Sequence, residues 1–149
     1  PIQRDQVFIS YSHKDRQWLE KLQIYLKPVI RKKQFKVWDD TKIQPGAEWR
    51  KEIEKALDAA KVAVLMVSAN FLSSDFIDKN ELPPLLEAAQ NEGLQIVWVL
   101  VSDCMYEESE IEKYQAAHSL DKPLITLTDA EEPTVLKSIC KIIKEFANS

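Results

Sequence analysis

The chain contains few glycines and cysteines and no long apolar segment. Among its 149 residues are two glycines, Gly46 and Gly93, and two cysteines, Cys104 and Cys140. A loop that cradles phosphate with its backbone needs several glycines close together, so a nucleotide site of that kind is excluded. Two cysteines far apart in sequence predict no disulfide framework, and we expect a reducing, cytoplasmic environment.

The charge and the apolar runs exclude further classes of protein. A net charge of −4 argues against a general nucleic-acid-binding protein. No apolar run approaches the roughly 20 residues that a helix needs to cross a bilayer, so we expect no membrane partner. Neither histidine has the spacing of a metal ligand relative to the cysteines, so we expect no metal site. The one basic cluster, which we interpret as a solvated helix terminus in preference to a partner-binding patch, comprises Lys27, Arg31, Lys32 and Lys33.

The length and composition predict one globular domain. A chain of 149 residues with 45% hydrophobic and 30% charged residues fits a single unit, residues 1–149. Because the sequence starts at Pro1 and shows no signal-peptide pattern, we expect this domain to come from a larger, multidomain protein.

Short apolar runs alternate with helical periodicity along the chain. The runs at residues 7–9, 35–38, 62–67, 96–101 and 124–127 predict strands, and the 62–67 and 96–101 runs have the unbroken apolarity of strands buried on both faces. Apolar residues recur at three- and four-residue steps after each of the first three strands and again near the end of the chain. The segment 107–118 is polar and weakly helical. Five such units predict a doubly wound parallel sheet of order 2-1-3-4-5, with helices on both faces.

Local signals support these boundaries. Pro45-Gly46 suits a type II turn, because proline fixes the first φ and glycine accepts the positive second one. Gly93 is expected to end the third helix. Thr128 and Glu131 have the spacing of a capping box for the last helix.

The predicted strand order places a site at the carboxyl ends of strands one and three, where the order reverses. Residues 10–12 and 68–71 would meet there, with the loop 39–49 nearby. A phospho-acceptor receiver domain shares this layout, but it needs an acidic pair after strand one and an aspartate after strand three. Serines stand at those places, Ser10 and Ser68, so the receiver interpretation fails.

Three groups of residues resemble the boxes of a Toll/interleukin-1 receptor (TIR) domain of the bacterial type, and they occur in the family's order and spacing across nearly the whole chain. They are Phe8-Ile9-Ser10-Tyr11-Ser12, then Val37-Trp38-Asp39-Asp40 with Ile43, Pro45-Gly46 and Trp49, then Val67-Ser68-Ala69-Asn70-Phe71-Leu72 ahead of Glu81-Leu82.

This resemblance implies a flavodoxin-like sheet and two alternative functions. One is cleavage of NAD⁺ at its nicotinamide–ribose bond, giving nicotinamide and linear or cyclic ADP-ribose, in bacterial antiviral defence signalling. The other is a non-catalytic scaffold that signals through TIR–TIR contact alone. NAD⁺ would be a substrate, with no separate cofactor, and a fused sensor or oligomerisation module is implied. The family's BB loop corresponds to residues 39–49, where Ile43, Pro45 and Gly46 are the implied assembly contacts. Ile43 is expected to be exposed in this polar loop, where an apolar side chain would otherwise have nothing to contact.

Glu81 matches the family's catalytic glutamate. The chemistry of the cleavage also supports a role for a single carboxylate. Nicotinamide leaves as a neutral molecule, so one ionised carboxylate near the ribose suffices where a glycosidase needs two carboxyl groups. The alternative for Glu81 is an ordinary acid that complements a helix dipole. Glu87 is the nearest rival, but helical geometry turns it well away from the direction of Glu81.

The remaining candidates to bind the substrate each have a structural alternative. Hydroxyls after strand one suit phosphate or ribose, but a serine there is also a common helix cap. Asp39 suits a ribose hydroxyl or an Asx turn. Trp49 suits stacking on a base or packing in the core. The full set is Ser10, Tyr11, Ser12, Trp38, Asp39, Trp49, Ser68, Asn70 and Phe71.

The sequence departs from the family's pattern at two places. Many members carry a tryptophan four residues before the catalytic glutamate, where this chain has Ile77. No arginine follows Tyr11, so a contact of that kind to the substrate would have to come from another residue.

Overall fold

Five parallel strands form one sheet in the computed structural model, which describes residues 3–32 and 35–149. The spatial order β2-β1-β3-β4-β5 confirms the predicted order. Lys33, the last residue of the predicted basic cluster, lies outside the described residues. The strands are β1 Gln6–Ser10, β2 Lys36–Trp38, β3 Ala60–Val67, β4 Gln95–Leu100 and β5 Gln115–Ala116.

Helices cover both faces of the sheet. They are α1 Arg16–Arg31, α2 Trp49–Ala59, α3 Ala69–Ser73, α4 Leu82–Asn91 and α5 Glu131–Ala147. One face packs against α1 and α5, and the other against α2, α3 and α4. Within residues 3–32 and 35–149, no helix is long and apolar enough to cross a membrane.

The central strand β3 explains the unbroken apolar run in the sequence. Val62, Val64 and Met66 face the α1–α5 side, whereas Ala63 and Leu65 face the α2–α4 side. Because successive residues of a strand point to opposite faces, a strand covered on both faces shows no polar alternation.

The fifth strand is not where the sequence predicts it. The run 124–127 contains a 3₁₀ turn, Leu124–Thr126, and the strand is formed by Gln115–Ala116, inside the segment that was predicted to be weakly helical. Leu124 is buried against the α1–α5 core, so its apolarity reflects packing and not strand pairing. Ile125 still touches the sheet, because its N–H donates to the carbonyl of Val101 over 3.1 Å.

The turn and cap predictions are confirmed. Gly46 has φ +84°, and Ala47 N–H donates to the Gln44 carbonyl at 3.0 Å, as a type II turn requires. Thr128 and Glu131 exchange hydrogen bonds of 3.0 and 3.1 Å between side chain and backbone, which is the capping box.

A π-helix, Ile77–Glu81, leads directly into α4. Pro83 and Pro84 occupy the start of α4 and have no N–H, so the carbonyls one turn before them lose their usual helical donors. Leu82 N–H instead donates to the carbonyl of Ile77, five residues earlier, which widens the turn. Glu81 therefore ends a widened turn.

His118 links the edge strand to the sheet in a pH-sensitive way. Leu100 N–H donates to His118 Nε2 at 2.9 Å, so this nitrogen must be unprotonated. Burial lowers the pKa of His118, and a backbone hydrogen bond with Ser119 opposes this more weakly. Because the pKa is lower in the folded than in the unfolded state, the unfolded chain takes up the proton first as the pH falls through about 6.5.

We therefore expect His118 to stabilise the fold more at pH 7.5 than at pH 5.5. Urea unfolding of the parent and of His118→Gln gives the difference in the free energy of unfolding at each pH. Because the parent and the variant share all other titratable groups, the contribution of those groups to the pH dependence cancels in this difference. A difference that is equal at the two pH values, or larger at pH 5.5, would contradict the assignment.

Candidate active site

A cavity of about 570 Å³ opens at the carboxyl ends of β1 and β3, where the sheet order reverses. Its volume lies within the range of small-molecule sites, and this is the location that open parallel sheets use for ligands. Five of the predicted site residues line it: Tyr11, Ser12, Trp49, Asn70 and Glu81.

Glu81 is held on the cavity wall by a buried hydrogen bond. Ser10, the last residue of β1, donates from Oγ to Glu81 Oε1 at 2.6 Å. The glutamate is 6% exposed and the serine 1% exposed. Ser10 was predicted to contact a ligand, but its hydroxyl proton is used by the carboxylate, so the serine positions Glu81.

The surroundings of Glu81 favour its neutral form. Burial raises the pKa of the carboxyl to about 7, and the negative charge of Asp40 adds to this. The Ser10 hydrogen bond and the charge of His13 lower the same pKa, by less than burial raises it. A carboxyl group that titrates near neutrality inside a cleft is typical of functional sites.

Asp40 is a second carboxylate in the cavity lining and binds two neighbouring side chains. Tyr11 donates its hydroxyl to Asp40 Oδ1 at 2.6 Å, and His13 Nε2 contacts the other carboxylate oxygen. Burial and this hydrogen bond raise the pKa of Tyr11, so the phenol stays protonated. Asp40 lines the cavity but was not among the site residues predicted from the sequence. The available signal was its position beside Asp39 after β2, but sequence does not say which of the two carboxylates faces the cavity.

Two aromatic rings form the outer wall. The ring centroids of Trp49 and Phe76 lie 5.6 Å apart, with an angle of 54° between the rings. Trp49 is 47% exposed and Phe76 is 37% exposed, so the core alternative for Trp49 is wrong. Phe76 stands one position before Ile77, which is buried. An aromatic side chain therefore lines the cavity although the family's usual position holds isoleucine.

Two predicted residues of strand β2 and its exit lie outside the cavity lining. Trp38 stacks on Phe8, with centroids 5.2 Å apart. Asp39 is fully buried, and its carboxylate accepts from the backbone N–H of Thr41 at 2.9 Å and from Gln23 Nε2 at 2.8 Å. These contacts match the Asx-turn alternative and leave Asp39 without access to the cavity.

Two predicted residues after β3 are also turned away from it. Ser68 is fully buried, caps α3 by accepting from Phe71 N–H at 3.0 Å, and donates to Asp15 Oδ2 at 2.5 Å. Phe71 is 1% exposed and packs in the core. Asn70 alone of this group lines the cavity, where its Nδ2 donates to Asp15 Oδ1 at 3.3 Å.

The loop 39–49 differs from expectation at one residue. Ile43 was predicted to be exposed, but it is half-buried, packs against the α2–α4 core and lines the cavity. The apolar side chain therefore has a partner within its own domain. Pro45 and Gly46 are exposed at the tip of the loop.

The fold and the cavity together define a doubly wound α/β domain that presents a buried carboxylate where its strand order reverses. A family model described as TIR domain matches residues 7–135. The chain therefore belongs to the TIR domain family, as its sequence boxes predicted. A curated relative, "Uncharacterized protein y4lF" of Sinorhizobium fredii, is 24% identical over 141 residues, which are 95% of this chain and 43% of the relative. The chain thus spans less than half of that relative, whose bacterial origin is consistent with the predicted bacterial type.

Solved TIR domains share the fold. The TIR domain of the Toll-related receptor TRR-2 from Hydra magnipapillata has a TM-score of 0.60 and 18% identity, over 95% of this chain and 98% of that one. A chain of the RPS4 and RRS1 TIR domain heterodimer matches with a TM-score of 0.57 and 16% identity, over 97% of this chain and 99% of that one. The second structure is a pair of TIR domains, so domains of this family associate with one another.

The geometry around Glu81 predicts two opposite pKa shifts. Ser10→Ala removes a hydrogen bond to the ionised form and should raise the pKa of Glu81. Asp40→Asn removes a negative neighbour and should lower it. Both are measurable by NMR titration of the ¹³C-labelled carboxyl carbons, assigned with Glu81→Gln.

Ser12→Ala is the matched control, because Ser12 lines the cavity without a hydrogen bond to Glu81 that the structure shows. The pKa of Glu81 in the Ser12→Ala variant should equal that in the parent. A parent pKa near the ordinary value of 4.5, or an unchanged pKa in Ser10→Ala, would contradict the buried arrangement.

Proposed function

We propose that this domain cleaves NAD⁺ at the bond between nicotinamide and ribose, with Glu81 as the catalytic residue. The observation that supports the proposal most is a single buried carboxylate on the wall of a ligand-sized cavity, held by Ser10 and faced by exposed aromatic rings.

The chemistry needs only one carboxylate. When the bond between the ribose C1′ and the nicotinamide nitrogen breaks, both electrons leave with nicotinamide, which becomes neutral. Positive charge develops on the ribose, and ionised Glu81 stabilises it at short range in a poorly solvated site. Addition of water at C1′ then gives ADP-ribose and releases one proton, whereas attack by a nucleophile of the same molecule gives a cyclic product.

The cavity offers suitable contacts for the rest of the substrate. Trp49 and Phe76 present faces on which the nicotinamide ring can stack. Asn70 and Ser73 supply polar groups on the adjacent wall, and Lys14 lines the rim with a positive charge that suits a diphosphate. The positively charged nicotinamide ring would itself favour the ionised form of Glu81 once it is bound.

The biological setting we propose follows the family. The domain would act in the bacterial cytoplasm as the effector of an antiviral defence protein, fused to a sensor or oligomerisation module and activated by self-assembly. The matched segment makes up 43% of the Sinorhizobium fredii relative, so that protein contains further sequence, which is consistent with such a fusion. An assembly role for Ile43, Pro45 and Gly46 stays a prediction.

Replacing Glu81 by glutamine should strongly reduce nicotinamide release. The amide keeps an oxygen that accepts from Ser10 but carries no negative charge, so we expect a loss of about 10²–10³-fold in turnover with the fold retained. Chromatography of NAD⁺ incubated with concentrated protein measures the products, and circular dichroism checks the fold.

Glu145→Gln, an exposed substitution on α5, is the matched control and should behave as the parent. Equal nicotinamide release by parent and Glu81→Gln would refute the catalytic role. No release by the assembled parent would favour the scaffold alternative.

The pH profile should follow the ionisation of Glu81. Because only the ionised form stabilises the ribosyl cation, kcat/KM should rise with pH and level off above about 7. Asp40→Asn should move this inflection to lower pH, since Asp40 raises the pKa of Glu81. Rates of nicotinamide release between pH 5 and 9 test this, and a flat profile or an inflection that moves upward would contradict it.

A further inference from the structure

A second groove, of about 690 Å³, lies beside the candidate active site, between α4 and the segment 105–110. Apolar residues contribute to its lining, and we call them the floor; they include Leu72, Leu82, Leu86 and Met105. Met105 is 66% exposed, so part of this apolar surface has no partner within the domain. An exposed apolar groove of this kind marks an interaction site.

The groove is also lined by acidic residues, which we call its rim. Asp78, Glu87, Glu108 and Glu110 line it, and among the described residues that line it none is a lysine or an arginine. Only Glu110 of these four has an ion-pair partner in the described part of the chain, Lys113 at 3.2 Å. A partner for this groove should therefore combine apolar side chains with positive charge.

The same chain carries a surface of that chemistry on α1. Ile24 is 69% exposed. Lys27, Pro28 and Arg31 are also exposed, and at about 100° per residue these four positions lie along one side of the helix. We call them the α1 ridge. Glu20 lies one turn before Ile24 and is acidic, so we do not include it in the ridge. The positive charge of the ridge comes from Lys27 and Arg31.

We propose that the α1 ridge of one copy docks into the acidic groove of the next copy. Lys27 and Arg31 would pair with the rim carboxylates, while Ile24 and Pro28 would cover the apolar floor. The sequence had favoured a solvated helix terminus for this basic cluster. The exposed isoleucine beside it and the complementary groove elsewhere on the domain favour a partner surface instead.

The two surfaces lie on opposite faces of the sheet, so one copy uses both at once. The ridge belongs to α1, which packs on one face, whereas the groove is formed by α4 and its neighbours on the other. A contact between two different patches is head-to-tail and does not close on itself unless the rotation allows a ring. The expected product is an open chain of domains.

The groove also adjoins the proposed catalytic carboxylate. Ile77 lines both the groove and the candidate active site, and it begins the π-helix that ends at Glu81. A ridge seated in the groove would contact the element that positions Glu81. This link to catalysis rests on the proposed function, but the docking itself does not.

Charge reversal on each surface tests the docking. Sedimentation velocity of the 149-residue chain over a concentration series measures association by mass, independently of NAD⁺ cleavage. The double variants Lys27→Glu/Arg31→Glu and Glu87→Lys/Glu108→Lys should each weaken association about tenfold or more. An equimolar mixture of the two should form long alternating assemblies. The normal ridge of one variant fits the normal groove of the other, and the reversed ridge fits the reversed groove. A chain carrying all four reversals should regain long assemblies.

Glu54→Lys/Asp58→Lys is the control for net charge, since it reverses two exposed acids on α2 away from the groove, and it should associate as the parent does. The proposal is overturned if the four-reversal chain stays monomeric, or if the parent does not associate. It is also overturned if Ile43→Asp abolishes association while both reversal pairs leave it unchanged. Loss of NAD⁺ cleavage with assembly intact would count against the proposed function only.

Discussion

The arrangement of the site depends on the hydrogen bond between Ser10 and Glu81. It joins the end of the first strand to the end of the π-helix, 71 positions later in the chain. A buried carboxylate is costly to ionise, and a hydroxyl donor offsets part of that cost. The bond therefore fixes the direction of the carboxylate and moderates its pKa at the same time. No other described contact ties the π-helix to β1 through side chains as directly.

The π-helix connects the two cavities because it lies between them and contributes to the lining of both. Its first residue, Ile77, lines both, and its last residue, Glu81, places its carboxyl group in the candidate active site. Pro83 and Pro84 make this widened turn possible, since they withhold the N–H groups that an ordinary helix would use. A segment with non-standard hydrogen bonding next to a reactive group is a recurrent feature of functional sites. Under the proposed docking, it would also give a physical route by which a neighbouring copy could influence the carboxylate.

The sequence by itself determined the fold, apart from the location of its fifth strand, and the general position of the candidate site. Unbroken apolar strands such as 62–67, separated by helical periodicity, require a parallel sheet covered on both faces, because each strand residue must be buried on one side or the other. That constraint is local and repeats along the chain, so periodicity reveals it. The same holds for the turn at Gly46 and for the cap at Thr128, where backbone geometry restricts the residue type. The TIR boxes then indicated Glu81.

Only the tertiary structure decided which side chains meet. Asp39 and Asp40 are equivalent in sequence, but one is buried against Gln23 and the other faces the cavity with Tyr11 and His13. Ser10 positions Glu81, and the sequence could not show this role. The two residues are 71 positions apart, and no local pattern indicates that they meet. The strand at Gln115–Ala116 is too short to show a period, and it exists because Val97 and Trp98 offer it an edge. Contacts between distant segments depend on how the elements pack, and that information is spread over the whole chain and absent from any single stretch of it.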